Sequence, residues 1–316
     1  MEAAMTQRGW LLFGALSIIW GVPYLLIKVA VRDLDPVVVA FGRTFLGALL
    51  LLPIALRRGD LVPVLRRWRW LLVYTVVEIV GPWWLLGHAE TRLNSSTAGL
   101  LIAVVPLIAA VLTVGVNRRR PGGERLSRRR VAGLLLGLAG EVVLVGLDVQ
   151  LDDLPAVGAA ALTAIGYAAG PLLISRKLAD LPPLGVITGS LAISAVVYSP
   201  FAVLFRPPHV GAASGWSVVV LATLCTATAF VVFFALIAEA GPARATVITY
   251  VNPAVAILLG VAVLGEPLNI GTAIGFPLVI VGCVLATSRQ SRPDQPPGGQ
   301  LAPAAGSGPA AATEAA

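Results

Sequence analysis

The chain has 316 residues, of which 57% are hydrophobic and 12% charged, with a net charge of +7 and a mean hydropathy of +0.88. A soluble globular fold cannot hide that much apolar surface, which places the chain in a membrane. Of the 23 basic residues, 21 are Arg gathered in short loops, a pattern that fits topology determinants and argues against a nucleic-acid surface.

The predicted elements are apolar runs of about 17 to 23 residues, the length a helix rising about 1.5 Å per residue needs to cross about 30 Å of hydrocarbon. The first half supplies five, at residues 10–31, 36–56, 70–87, 96–116 and 131–147. The first run exceeds twenty residues and has no small-residue cleavage site, so it is read as a retained helix. Residues 87–94, containing His88, Glu90 and Arg92, are expected to form a short polar turn at the outer mouth, solvated at the interface. The strongest charge block follows the fourth run, with seven Arg between residues 118 and 130. The second half supplies five more runs, at 154–174, 184–205, 216–238, 245–264 and 270–287. Residues 1–9 form a short N-terminal segment. Residues 288–316, rich in Pro, Gly, Ala and Gln, are expected to be disordered.

Basic residues set the expected orientation. With the N-terminus inside, 18 of them fall on the inner side and four, Lys28, Arg32, Arg92 and Arg206, on the outer side. Both termini are therefore expected in the cytoplasm, with the chain in the inner (plasma) membrane.

The halves repeat. At an offset of 147 residues, Pro36 falls on Pro183, Pro53 on Pro200 and Pro106 on Pro253, while Gly133 and Gly140 match Gly275 and Gly282 at an offset of 142. Five spans is an odd number, so residues 154–287 enter the membrane in the opposite sense to residues 10–147. The expected fold is an all-α polytopic membrane protein of ten transmembrane helices in two inverted five-helix repeats. Pro106 and Pro253 are predicted helix breaks near the membrane midplane.

These features resemble the ten-helix, EamA-type members of the drug/metabolite transporter superfamily. The resemblance rests on the two five-span halves, Trp20-Gly21, Arg43 within Ala40-Phe-Gly-Arg-Thr-Phe-Leu-Gly47, the Val105-Pro106 and Asn252-Pro253 pair, and Leu264-Gly-Glu266. It covers about residues 10–287 and implies a metabolite transporter without naming the substrate. In the first half the Gly-Glu element is replaced by the Arg-rich loop around Glu124.

Ionisable groups within hydrocarbon cost on the order of 2.5–3.5 kcal/mol each on insertion scales. Arg43 lies about 10 Å inside its span by helical rise, and Glu78 is near the middle of the third span. Functionally, Arg43 meets a substrate carboxylate or pairs with Glu78, and Glu78 titrates as a coupling-proton site. Structurally, they form a buried ion pair. Glu141 sits among Gly137 and Gly140, a setting that suits packing or a homodimer contact. Trp20, Tyr24, Trp83, Trp84, Tyr167, Tyr250 and Asn252 are the further candidates for a substrate pocket. Thr223, Thr226 and Thr228 with Cys225 join them on the eighth span, although hydroxyls also bridge helices.

No nucleophile elbow, His-Glu-x-x-His or phosphate loop occurs, and two histidines cannot build a multi-histidine metal centre. The expectation is a non-enzymatic secondary transporter of small polar or amphipathic metabolites, amino acids or similar, with export favoured. It needs no cofactor, and its partners are substrate and lipid. The rivals are an exporter of lipophilic cations or drugs and a non-transporting receptor or scaffold whose Arg-rich loop binds a partner or anionic lipid.

Overall fold

A computed structural model describes residues 6–117, 128–240, 248 and 251–287. Tyr250, the Arg-rich loop over 118–127, the segment 288–316 and the side chain of Glu141 lie outside what it describes. Among the described residues the structure is helical and contains no strand. Seven helical segments are long and apolar enough to cross a membrane, and three shorter apolar helices occupy the remaining predicted spans.

The spans are α1 (Gln7–Ala30), α2 (Pro36–Arg58), α3 (Trp68–Thr75, Val76–Val80 and Gly81–Arg92) and α4 (Ser95–Ile102 and Val105–Asn117). They continue as α5 (Arg128–Asp148), α6 (Leu154–Leu173 and Ile174–Leu178), α7 (Pro183–Leu204) and α8 (Ala212–Ala222, Thr223–Thr228 and Ala229–Ala240). The last two are α9 (Asn252–Leu264) and α10 (Ile270–Thr287). Local chemistry sets several ends. The Asp35 carboxylate accepts from the Val37 N–H at 2.9 Å and Pro36 opens α2, while Gly59 at φ 69° closes it. The polar turn expected from residue 87 is instead helical to Arg92.

The packing partners obey the exchange of halves. The pairs α2 with α7, α4 with α9 and α5 with α10 map onto themselves, and α3 against α6 is matched by α8 against α1. All three self-paired contacts run antiparallel, as an inverted repeat requires. A Cβ on Gly47 of α2 would meet Leu191 of α7 at 3.4 Å, whereas Asp60, beyond the end of α2, faces Gly185 near the start of α7. In α4 with α9, Gly99 faces Ala256 and Ser95 faces Gly260. The α5–α10 seam shows the symmetry most directly. Gly133 and Gly137 oppose Gly282, while Gly140 opposes Gly275. The first contact becomes the second when each residue is replaced by its mate at the 142-residue offset.

The two prolines open helical segments at equivalent places. The two parts of α4 are separated at Ala103–Val104 and the second begins Val105-Pro106; α9 begins Asn252-Pro253. In both helices proline takes the second position, where its missing N–H leaves no intrahelical bond unmade. A second matched irregularity has no proline at its centre. Wide π turns occupy Val76–Val80 in α3 and Thr223–Thr228 in α8, and 76 plus 147 is 223. Such turns leave backbone carbonyls in need of donors. The Tyr198 hydroxyl of α7 donates to the Val80 carbonyl at 2.5 Å, and the Thr226 hydroxyl donates to the Leu221 carbonyl at 2.9 Å.

Candidate functional site

Arg43 occupies the contact between these two distorted helices. Its Nε donates to the Thr226 hydroxyl at 2.9 Å on the α8 turn, and its guanidinium carbon lies 3.6 Å from the centre of the Trp83 ring, just beyond the α3 turn. The residue is 8% exposed. Among the described residues it has no carboxylate partner, and its Nη groups make no hydrogen bond. A cation over an aromatic face in a desolvated setting gains about 2 kcal/mol, which offsets part but not all of the cost of burying it. Tyr24 of α1, Tyr167 of α6, Tyr198 of α7 and Cys225 of α8 all lie within electrostatic reach of the guanidinium. The cluster therefore draws on both halves and sits at their interface.

Glu78 lies on the π turn of α3, with Oε2 buried and without a partner. Its carboxylate packs against Gly170 of α6, where a Cβ would collide with it, and Gly166 one turn away leaves room for the Val77 carbonyl and the Pro82 ring. The Gly-x-x-x-Gly pair of α6 is thus the seat of the α3 distortion. Arg43 and Glu78 do not form an ion pair, so the structural explanation of two mutually neutralised charges fails for this arrangement.

The aromatic candidates separate. Tyr24 and Tyr167 pack in one core cluster, and Tyr167 also borders the cluster of Trp83 and Tyr198. Trp20 is half-buried against α8, its ring 4.9 Å from that of Phe233 and 6.0 Å from that of Phe230. Trp84 does not join them: it is 43% exposed on the opposite face of α3, stacked on His88 at 6.0 Å. Successive helical residues point about 100° apart, so only one of the neighbouring tryptophans can face the interior. Thr228 is exposed on the outside of α8 and also drops out. Asn252 is tied to backbone: with its amide nitrogen turned inward it donates to the carbonyls of Ser17 at 3.1 Å and Ile248 at 3.0 Å. That joins α1 to the start of α9.

One end of the bundle carries polar contacts that bind its helices together. Lys28 Nζ of α1 donates to the carbonyls of Glu90 at 2.8 Å and Leu93 at 2.7 Å, capping the C-terminus of α3. Glu90 itself, expected to be solvated, is completely buried. It lies seven residues beyond Trp83 on the same face of α3, a segment that packs against α6, α2 and α1. Ser214 at the start of α8 donates to the Asp33 carboxylate at 2.7 Å.

Glu266 makes the firmest of these contacts. Gly265, at φ 66°, turns the chain at the end of α9 so that the Glu266 carboxylate reaches the N-terminus of α4. It accepts from the Ser95 N–H at 2.8 Å, the Ser96 N–H at 3.0 Å and the Ser96 hydroxyl at 2.6 Å. Burial acts to raise its pKa, but the Ser96 hydroxyl and the two N–H groups outweigh burial and hold the carboxyl below the usual range. A lowered folded-state value contributes stability above the ordinary carboxylate pKa of about 4.3, and that stability is lost as pH falls through the lowered value. Glu266→Gln should cost about 1.5–3 kcal/mol at neutral pH and flatten the acid limb of a thermal-stability profile. An unchanged acid limb in the variant would show that the cap carries no such weight.

Comparison with known proteins decides what this architecture is. The model of the EamA-like transporter family matches twice, at residues 7–146 and 154–288. The chain belongs to that family. EamA-like relatives include the uncharacterised inner membrane transporter YedA of Escherichia coli (strain K12), 29% identical over 87% of this chain and 90% of its own length. The uncharacterised transporter YvbV of Bacillus subtilis (strain 168) is 26% identical over 92% of this chain and 94% of its own length. A solved structure, described only as the crystal structure of a protein, is 26% identical and superposes with a TM-score of 0.63, covering 88% of this chain and 96% of that one. This EamA-like chain is therefore a multi-pass membrane protein of a transporter family.

Sequence reasoning missed Tyr198, because a lone tyrosine in an apolar span carries no signal of the carbonyls it serves. It also missed the burial of Glu90, because a polar segment between two spans reads as a solvated turn. The capping role of Glu266 left one signal, its position directly after Gly265.

Proposed function

We propose that the protein is a secondary transporter that moves small polar or amphipathic metabolites bearing a carboxylate, amino acids or similar compounds, by alternating access. Export is the favoured direction. The observation that carries this proposal is Arg43: a buried guanidinium without a carboxylate among the described residues, held between Trp83 of the first repeat and Thr226 of the second. A substrate carboxylate supplies the missing charge, and Arg is the side chain that holds it in a bidentate fork. Tyr24 and Tyr167 supply apolar faces and polar tips around it. Glu78, on the α3 turn, is the coupling-proton candidate of the same site. An alternating movement of the two repeats changes which side reaches this interface. The basic-residue bias supports an inner-membrane setting with both termini cytoplasmic.

An uncompensated cation at the centre disfavours a carrier of lipophilic cations. A polar cluster built from six helices of both halves disfavours a passive scaffold. The test is a metabolite comparison of cells overexpressing and lacking the protein, followed by counterflow of the leading carboxylate in liposomes. Unchanged metabolite pools together with no counterflow of that compound would overturn the assignment.

A further inference from the structure

Two carboxylates stand around one ammonium at the Lys28 end of the bundle, and their surroundings differ. Both Glu90 and Glu266 act electrostatically on Lys28. Glu266 has three donors from Ser95 and Ser96. Glu90 has no such set: both its oxygens are buried and neither meets a donor in hydrogen-bond geometry, the one group that approaches being the Lys28 main-chain N–H. Lys28 does not fill the gap, because its ammonium is committed to the Glu90 and Leu93 carbonyls. A buried carboxylate without a donor is among the costliest groups a protein can hold, and a bound proton removes most of that cost.

We propose that Glu90 is a proton-binding site of this transporter, occupied in the closed arrangement seen here and emptied when the α3–α4 corner parts from α1. The groups that act on it are Lys28 and Tyr24 from α1, Arg43 from α2, Tyr167 from α6 and Glu266 from the α9–α10 link. From Ser95 to Asn117, α4 contains no titratable side chain. When the corner opens, the Glu90 carboxylic acid releases its proton to the adjoining water and becomes a carboxylate. Lys28 leaves the two carbonyls and pairs with that carboxylate. Rebinding of the proton frees Lys28 to cap α3 again and close the corner. Proton and conformation thereby favour each other at one end of the bundle, and Lys28 is the residue that couples them. For its use in transport this inference rests on the proposed function; for the existence of the site it does not.

Infrared difference spectroscopy of the full-length protein in lipid vesicles, stepped from acid to alkaline pH, tests the proton directly without a substrate. Wild type should lose a carboxylic-acid carbonyl band on the alkaline step. That band should be absent from Glu90→Gln, retained in Glu78→Gln and displaced in frequency in Glu90→Asp. Lys28→Met removes the partner of the ionised form and should move the midpoint of the loss upward by about one pH unit or more. Identical spectra for wild type and Glu90→Gln, or a midpoint that ignores Lys28→Met, would overturn the proposal. If Glu90→Gln fails to fold, the Glu90→Asp displacement and the Lys28→Met midpoint decide the matter by themselves. A failure of counterflow would count against the transport assignment and leave these spectra standing.

Discussion

Arg43→Met should lower transport of the carboxylate substrate about ten- to a hundredfold at subsaturating concentration while leaving the folded protein in the membrane at wild-type yield or higher. The two parts of that outcome have one cause. Arg43 is buried without a counter-charge, so its burial costs on the order of 2.5–3.5 kcal/mol and the stacking on Trp83 returns only part of it. Methionine fills similar space without the charge, which relieves the fold. What it removes is a charge-assisted contact of about 1.5–3 kcal/mol to the substrate, about ten- to a hundredfold in apparent affinity, and the loss is larger if both Nη groups engage. Arg43→Lys should recover only a small part, since an ammonium neither forks onto a carboxylate nor lies flat on the indole. Counterflow in liposomes gives the first quantity and thermal denaturation of the purified protein the second. Unimpaired counterflow, or a melting temperature that falls with the substitution, would mark Arg43 as a packing residue.

Gly282→Val and Gly140→Val should each prevent stable assembly of the two repeats, lowering the yield of folded protein several-fold. At Gly282 an added Cβ meets the Gly137 backbone at its N and, at 2.6 Å, its Cα, with the Gly133 carbonyl at 2.7 Å. At Gly140 it meets the Gly275 carbonyl at 2.9 Å. No rotamer change relieves a clash with main chain, so the whole α5–α10 contact must open. Overpacking of this kind costs about 1–3 kcal/mol where side chains can shift, and more where they cannot. Close helix approach is also what supplies packing in a bilayer, where apolar burial offers no drive between helices. Gly14→Val is the control, because nothing lies within 4 Å of its added Cβ. Size-exclusion profiles of the three variants in one detergent make the comparison; equal profiles would mean the seam tolerates separation.

Much of the architecture is written in the sequence because it follows from quantities that add along the chain. Span length, apolar runs and the 147- and 142-residue offsets need no knowledge of neighbours, and an odd number of spans per copy fixes the inversion. The prolines announce the starts of Val105–Asn117 and Asn252–Leu264 because their effect on helix geometry is local. The π turns are different. Val76–Val80 and Thr223–Thr228 share no motif; the first is stabilised from elsewhere, by Tyr198 on α7 and by the Gly166/Gly170 seat on α6, and the second by its own Thr226 hydroxyl.

The site divides along the same line. Arg43, Glu78, Tyr24 and Tyr167 were legible because an ionisable or amphipathic side chain in hydrocarbon demands an account wherever it lies. Only the tertiary structure decided that Arg43 and Glu78 stay apart, that Trp83 rather than Trp84 faces inward, and that Asn252 binds main chain. The fate of three carboxylates near the Lys28 end of the bundle was equally undecided by composition. Asp33 meets a serine, Glu266 meets a helix N-terminus and Glu90 meets no donor in hydrogen-bond geometry. Which charges the membrane must accommodate follows from the residues alone, since charge and hydropathy are properties of residues. Which of them are neutralised is a property of distances between helices far apart in the chain, and only the packed bundle sets those.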